Sequence, residues 1–413
     1  MVTPGIQVIG PFPPEIQRRI RRRAIRDCHK WDPQVGDTCT VGDFAVSLSQ
    51  EAWAEIRQLV EQLAAETLAA EREIQRRPEL FPRLGIPRAL RPLLHRPADT
   101  PDPPACRLMR FDVHPTAEGW RISEVNSDVP GGFNEAAGFP RLVQEIHPHL
   151  QSCGDPAAAI AASIRASISD PGHPVALVHA TAYSDDWQVM ICLQEALAAV
   201  GLEGVPLAPD ALRLSGGQLC GCIDGQWQPL SAATRFYPGE WFPGLRPEAA
   251  WHFWFRGAPV PLCNPGQALL TQSKRFPLVW AELDTPLPAW KRSLPATFDP
   301  RKTSRKTENL LFKPVWGRVG EEIAFPGLTP SKPYRRIRRA ARHDPCAWIA
   351  QEPFAADPVA VADTPWTLCL GVYTVDGHAA GVYGRAAPQA LIGAEAADVA
   401  VCLDSGEAKD EIG

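Results

Sequence analysis

The sequence predicts a mixed α/β (α+β) fold made of several lobes. Three observations predict it: a long amphipathic helix over residues 47–76, a strand followed by a helix over residues 173–200, and paired strands toward both ends of the chain. A strand that leads into a helix is typical of α/β layering. The chain has 413 residues, which is enough for two or three packed lobes.

Helical periodicity is clearest in residues 47–76, where apolar residues recur at helical spacing and Ser47 or Ser49 could cap the start. Core packing explains this helix without any functional role. Residues 15–26 are dense in arginine and predict a second helix. Its charged side is either a solvated face or an anion-binding patch, and the solvated face is the usual case.

The strands follow from short apolar or alternating runs bounded by turn residues. Residues 106–114 and 120–126 predict two strands joined by a turn at Ala117-Glu118-Gly119. A buried strand is predicted at 173–180, with a helix at 186–200 after it. Further strands are predicted at 310–316, 347–352, 366–375 and 379–385. Asp376-Gly377 separates the last two and is typical of a tight hairpin turn.

Composition and charge argue against several classes of protein. The formal net charge of -5 and the pI of about 6.1 give no basic surplus, so we expect no nucleic-acid partner. No run of about 20 apolar residues occurs, so we expect no membrane span. The N-terminus lacks the pattern of a signal peptide, and the 11 cysteines are scattered. Both features predict a protein of the reducing cytoplasm.

Four polar side chains alternate along the first predicted hairpin. Residues two apart on a strand point to the same face, so Arg110 shares a face with Asp112, and Glu124 shares a face with Asn126. Pairing of the two strands would bring all four together. Oxygen ligands suit Mg²⁺, and an arginine fork suits a phosphoryl group. Alternating polar residues are also common on the wet face of a sheet, so both interpretations stay open here.

Two lysines and a glycine loop form a second group. Lys274 lies on a predicted helix, Lys313 ends an apolar strand, and Gly317 and Gly320 flank Arg318 in the loop that follows. Glycines let backbone N–H groups converge on an anion, and a lysine ammonium adds charge. A loop with two glycines is a much weaker indicator than a full P-loop. Taken alone, Lys313 would more often be a surface lysine.

The order of these segments resembles the synthetase part of glutathionylspermidine synthase-type ligases. The motifs that carry the resemblance are Arg-x-Asp, a short hairpin, Glu-x-Asn-x-Asp-x-Pro with a Glu-Ala helix start, and later Lys-Pro-x-x-Gly-Arg-x-Gly. The resemblance covers roughly residues 30 to 400. It implies an ATP-grasp-like multi-lobed fold with a pre-ATP-grasp domain. It also implies a ligase that uses ATP and Mg²⁺ to join a small-molecule carboxylate to an amine through an acylphosphate.

The same resemblance implies lobes and residue roles. We expect an N-terminal lobe with the metal-binding hairpin at 1–170, a central α/β lobe at 171–265 and a nucleotide-binding lobe at 266–413. The implied Mg²⁺ ligands are Asp112, Glu124 and Asn126, beside a phosphate-binding, catalytic Arg110. The implied ATP contacts are Lys274, Lys313, Gly317, Arg318 and Gly320, with Gln351 or Glu352 at the adenine edge.

Some positions depart from the family pattern or allow two interpretations. Val319 stands where the family has an acid after Gly-Arg, and Ala386 stands where it has one after the final arginine, Arg385. These departures leave a degenerate, non-catalytic nucleotide-binding or interaction protein as the alternative. Asp185 and Asp186 resemble a pair of acids that face the amine substrate, although capping of the following helix would also explain them.

Overall fold

The computed structural model describes residues 5–97, 100, 105–303, 309–317 and 322–405. Within these residues the α-helices are α1 (Pro14–Asp27), α2 (Gln50–Gln75), α3 (Arg91–Leu94), α4 (Phe133–Gln144), α5 (Pro156–Ser167), α6 (Ser184–Ala199), α7 (Phe253–Arg256), α8 (Leu269–Gln272), α9 (Pro288–Ser293) and α10 (Ser331–His343).

The strands in the first half of the chain are β1 (Ile6–Ile9), β2 (Gln34–Val35), β3 (Thr38–Cys39), β4 (Ala45–Leu48), β5 (Leu108–Thr116), β6 (Gly119–Asn126), β7 (Leu150–Ser152), β8 (Val175–Val178) and β9 (Gly204–Leu207). Those that follow are β10 (Leu212–Ser215), β11 (Gln218–Ile223), β12 (Gln226–Pro229), β13 (Ala232–Arg235), β14 (Leu262–Cys263), β15 (Thr297–Phe298), β16 (Leu311–Pro314), β17 (Trp348–Gln351), β18 (Val359–Val361), β19 (Thr364–Val375), β20 (His378–Ala387), β21 (Ala397–Val399) and β22 (Val401–Asp404).

The long predicted helix is α2, and it supports the largest hydrophobic cluster. Ser49 is its N-cap, because the Ser49 hydroxyl accepts a hydrogen bond from the Ala52 N–H at 3.2 Å. Its inward face, which includes Ile56 and Leu63, is fully buried against the main sheet. Although α2 is the longest helix, no helix in the described ranges is both long and apolar enough to cross a membrane.

The arginine-rich helix α1 is partly neutralised by acids around it. Arg19 lies 3.1 Å from Glu145, Arg23 also pairs with Glu145, and Arg23 lies 2.7 Å from Asp27. Helix α1 packs against α4, next to which Glu145 lies. This pairing favours a solvated face rather than an anion-binding patch on α1.

The main sheet has six strands and joins distant parts of the sequence. Its order is β21-β20-β19-β5-β6, with β18 paired to β19. The β19–β20 hairpin turns at Asp376 and Gly377, whose φ angles of 50° and 88° suit a tight primed turn, as predicted. Because β5 pairs with β19, this sheet combines strands from the first and the last predicted lobes. The lobe boundaries at 170 and 265 therefore stay a proposal.

The central segment forms a parallel sheet, in the order β14-β13-β8-β9. Helix α6 follows β8, as the sequence predicted, and packs against β9. A third, smaller sheet of β15, β17 and β16 carries Lys313 and Gln351. Phe242, in the aromatic segment 234–242, is fully buried among other rings and therefore belongs to the core.

Candidate functional site

The hairpin of β5 and β6 brings the four predicted polar residues together. Arg110 is paired with Asn126, and Asp112 is paired with Glu124. The pairing shifts register just after Asp112. A bulge at this place re-aims neighbouring side chains and is common beside functional sites. The predicted juxtaposition is confirmed, while the roles of these residues stay predictions.

Each carboxylate in the hairpin already has a cation beside it. The Arg110 guanidinium donates from Nε to Asp112 Oδ1 at 2.7 Å and from Nη2 to Asp112 Oδ2 at 3.0 Å. Asn126 Nδ2 donates to the same Asp112 Oδ2 at 3.2 Å. Lys274 Nζ lies 3.2 Å from Glu124 Oε2. Lys313 Nζ donates to the backbone oxygen of Ser123, the neighbour of Glu124, at 3.1 Å.

These cations set the protonation of the site. Burial opposes ionisation of Glu124, but Lys274 and Lys313 outweigh it and hold the pKa of Glu124 at about 2. Burial lowers the pKa of Lys313, and Glu124 opposes that change. The site therefore holds an ionised Glu124 between two lysines at neutral pH, together with the Arg110–Asp112 pair.

The donor set can be compared with what Mg²⁺ requires. In the described part of the chain, no three or more histidine, cysteine, aspartate and glutamate side chains are grouped so that they could hold a metal ion. Asp112 and Glu124 are two carboxylates on paired strands, and Asn126 adds an amide oxygen. Mg²⁺ is usually bound by one or two carboxylates and completes its shell with water and substrate phosphates. The three residues are of the types that such a site uses, and their role as Mg²⁺ ligands stays a prediction.

A cavity opens beside the hairpin. Its empty volume, which includes space open to solvent, is about 350 Å³. Its lining includes the charged residues Glu124, Lys274 and Lys313. It also includes the apolar residues Phe276, Pro277, Trp290, Leu294 and Ile349. The cavity therefore combines charged and apolar side chains in its lining.

The predicted adenine-edge residues occupy different environments. Gln351 lines the cavity, is buried, and donates from Nε2 to Thr297 Oγ1 at 3.0 Å. Glu352 is exposed and does not line the cavity. Of these two alternatives, Gln351 is the one that lies at the cavity, and its contact with a nucleotide stays a prediction.

The predicted helix around Lys274 is wrong. Helix α8 ends at Gln272, and Lys274 lies in the turn that follows. The turn is held by tertiary contacts, because Ser273 Oγ donates to the Leu84 oxygen and Arg275 donates to backbone oxygens of distant segments. Lys274 Nζ also donates to the Gly317 oxygen at 2.7 Å, which links it to the glycine loop. The other predicted loop residues, Arg318 and Gly320, lie outside the described residues.

The two acids at the start of α6 do not cap it. The N-cap is Tyr183, and Asp185 and Asp186 lie in the first turn, where negative charge is favoured by the helix dipole. Asp186 Oδ2 accepts a hydrogen bond from the Ala180 N–H at 3.3 Å, and neither acid lines the cavity beside the hairpin. The capping interpretation was wrong because the helix begins one residue earlier than Asp185. A contact with the amine substrate stays a prediction.

Sequence reasoning missed the residues that hold the end of the hairpin. Asp128, the last acid of the Glu-x-Asn-x-Asp motif, forms an ion pair with Arg235 in which neither side chain is exposed. Asn264 Nδ2 donates to the backbone oxygen of Asp128 at 2.6 Å, and Gln272 Oε1 accepts from the backbone N–H groups of Ser127 and Asp128 at 2.7 and 2.9 Å. Asp128 therefore fixes the backbone behind the site rather than facing a ligand.

The multi-lobed α/β architecture, with this cavity between a hairpin and a small sheet, defines an ATP-grasp-like synthetase fold. The chain belongs to the glutathionylspermidine synthase family, whose pre-ATP-grasp profile matches residues 15–402. This match covers nearly the whole chain and confirms the resemblance of its motifs. Membership of this family supports the assignment of the chain to the class of carboxylate–amine ligases. No curated protein matches the sequence significantly.

Solved structures support the fold. A glutathione synthetase-like effector from Globodera pallida, in its apo form, superposes with a TM-score of 0.61 at 11% identity, covering 95% of this chain and 99% of the effector. At that identity the likeness shows the fold alone. A candidate gamma-glutamylcysteine synthetase from Methylobacillus flagellatus gives a TM-score of 0.42 at 14% identity, over 81% of this chain and 86% of the other, and this is too low for any conclusion.

Proposed function

We propose that this protein is an ATP- and Mg²⁺-dependent ligase that joins a carboxylate to an amine, with a peptide-like carboxylate as the first candidate substrate. The observation that carries the proposal is the polar part of the cavity, where Lys274 and Lys313 flank Glu124 next to the Arg110–Asp112 pair. A cavity lined by two lysines and by apolar side chains suits a nucleotide polyphosphate.

The proposed reaction has two steps. A carboxylate oxygen of the substrate bonds to the γ-phosphorus of ATP, and the bond to the β-γ bridging oxygen breaks, which releases ADP. The amine nitrogen then attacks the acyl carbon, phosphate leaves with the bonding electrons, and the amine loses a proton. Neither step needs a protein nucleophile, which agrees with a site built from charged and amide side chains.

The residues of the site would act by binding and orienting. Lys274 and Lys313 would hold phosphate oxygens, and Arg110 would donate to the phosphoryl group in transfer, because charge on that group spreads over its outer oxygens. Asp112, Glu124 and Asn126 would hold Mg²⁺. When bound, the ion neutralises charge on the phosphates and positions them.

Glu124→Gln tests the proposal against the degenerate alternative. The change keeps the size of the side chain and a neutral oxygen but removes the charge that a metal needs. We expect the wild type to release ADP when Mg²⁺-ATP is supplied with a suitable short peptide and a polyamine, and the variant to lose most of this turnover across a Mg²⁺ titration. ADP affinity, measured by calorimetry, should be largely kept.

Glu118→Gln is the matched control, because Glu118 lies in the turn of the same hairpin with its side chain 75% exposed. It should leave ADP release unchanged. Absence of turnover in the wild type over a broad panel of peptides and amines would favour the degenerate protein. Full activity of Glu124→Gln would show that the hairpin carboxylates only form the wet face of the sheet.

A further inference from the structure

A buried cluster of charges lies behind the candidate site. Lys30 follows α1 and is 3% exposed. Its Nζ lies 2.8 Å from Asp32, 2.9 Å from Glu135 and 2.8 Å from Asp398. Glu135 and Asp398 are each 4% exposed, and Glu135 Oε2 has no hydrogen-bond partner within the described ranges. The Lys30 ammonium therefore contacts three carboxylates, and the Arg385 guanidinium, 3.6 Å from Asp398, is a second cation beside one of them. Loss of the ammonium would leave the buried carboxylates with less positive charge to offset their repulsion.

The cluster is connected to the phosphoryl-binding arginine through one tyrosine. Asp398 Oδ1 accepts a hydrogen bond from the Tyr383 hydroxyl at 2.5 Å. The Tyr383 ring lies 5.9 Å from the Arg110 guanidinium, on the side where cation–π contact is favourable. The same ring packs against Gly132, where a Cβ would come within 2.8 Å of a ring carbon. Tyr383 thus supports both Arg110 and the turn next to it.

That turn and Arg110 are fixed to each other. Arg110 Nη1 donates to the Gly131 oxygen at 2.9 Å, and the Tyr373 hydroxyl donates to the same oxygen at 2.6 Å. Gly132 has a φ of 87°, which favours glycine, and the first turn of α4 with Glu135 follows it. Lys30 therefore acts on this turn from two directions, through Asp398 and Tyr383 on one side and through Glu135 on the other.

We propose that Lys30 is a positioning residue for Arg110. Its ammonium holds Asp398 and Glu135 behind the Gly131–Gly132 turn, Asp398 fixes the Tyr383 hydroxyl, and the Tyr383 ring keeps Arg110 aimed at the phosphoryl group. This inference rests on the proposed function for the phosphoryl step. It does not rest on the identity of the carboxylate or the amine.

Lys30→Met removes the charge and keeps most of the side-chain volume. We expect kcat for ADP release to fall by roughly 10- to 100-fold, since small displacements of a catalytic group have effects of that order. KM for ATP should change by less than about threefold, because the cavity lies on other segments. Lys30→Arg keeps a cation and should restore part of kcat. Ile20→Ala, which removes apolar packing from the hydrophobic cluster around α1, is the control for destabilisation alone.

A binding measurement keeps the inference separate from the ligase. Calorimetry with Mg²⁺, ADP and inorganic phosphate should show phosphate binding that Lys30→Met weakens by about tenfold or more, with ADP affinity kept. This result would support the positioning role even if no turnover were found. Turnover in the wild type together with unchanged kcat and phosphate affinity in Lys30→Met would overturn it. Equal losses in Ile20→Ala would also overturn it, because the effect would then be a general loss of packing.

Tyr383→Phe repeats the test with a smaller change and serves if Lys30→Met does not fold. It removes only the hydroxyl that contacts Asp398. We therefore expect kcat to fall less than in Lys30→Met, again with KM for ATP kept. Because Lys30 and Tyr383 act in one chain of contacts, the double variant should lose little more than Lys30→Met alone. Losses that multiply in the double variant would contradict the proposed connection.

Discussion

Neutralising Asp128 tests how firmly the backbone behind the site is held. The Asp128 and Arg235 side chains have no exposed surface, and the Asp128 carboxylate also accepts the Gly239 N–H at 2.8 Å. Asp128→Asn keeps the size and one acceptor oxygen but leaves the Arg235 guanidinium buried without its counter-ion. Removing one partner of such a pair costs about 3–5 kcal/mol. Total stabilities are commonly about 5–15 kcal/mol, so the loss should be large.

Urea unfolding followed by tryptophan fluorescence measures this free energy of unfolding. The matched control is Asp210→Asn, because Asp210 pairs with Arg246 at the surface, where the arginine side chain is 78% exposed. That variant should unfold close to the wild type, since exposed pairs contribute little. Adding Arg235→Met to Asp128→Asn should recover much of the loss by removing the second buried charge. If Asp128→Asn were as stable as Asp210→Asn, the buried pair would not hold this segment.

Two further predictions concern the cavity and the hairpin. Lys313→Ala should weaken ADP binding in calorimetry by about tenfold or more. The control Arg57→Ala, on the exposed side of α2, should not change ADP binding. Equal small effects of the two changes would mean that Lys313 contacts no phosphate. Burial lowers the pKa of His114 from 6.5 to about 4, so between those pH values the unfolded chain takes up a proton that the folded chain excludes. The wild type should therefore lose up to about 3 kcal/mol of its free energy of unfolding as the pH falls through this range. Urea unfolding at pH 7 and pH 4.5 should show a smaller loss for His114→Gln. Equal losses in the two proteins would contradict the lowered pKa of His114.

Local pattern predicted the parts of the site that depend on neighbours in sequence. The alternation of Arg110 with Asp112 and of Glu124 with Asn126 was enough to place them on one hairpin. The ion pair of Asp128 with Arg235 joins residues 107 positions apart, and no periodicity in either segment indicates it. Lys30 was missed for the same reason, because its partners Glu135 and Asp398 are distant from it in sequence.

The error at Lys274 has a different physical cause. The run before it has apolar residues that suit a helix, but Arg275 is 2% exposed and its guanidinium pairs with Asp299 at 2.9 Å. It also donates to backbone oxygens, including that of Trp348 at 3.1 Å. These tertiary contacts outweigh the local helical preference and end α8 at Gln272. The resulting turn places the Lys274 ammonium beside Glu124. This contact therefore does not need the helix that the sequence predicted.

The position of Ala386 bears on whether the missing acid implies a degenerate protein. Successive strand residues point to opposite faces. Arg385 Nε lies 3.6 Å from Asp398 on one face, whereas Ala386 is fully buried in the main hydrophobic cluster on the other. A carboxylate at 386 would be an unpaired charge in the core, which is strongly unfavourable. In this fold an acid there could not face the cavity, so the alanine does not by itself argue against catalysis. The charges that do face the site are three cations, Arg110, Lys274 and Lys313, and two carboxylates, Asp112 and Glu124, and this excess of cations supports the proposed polyphosphate ligand.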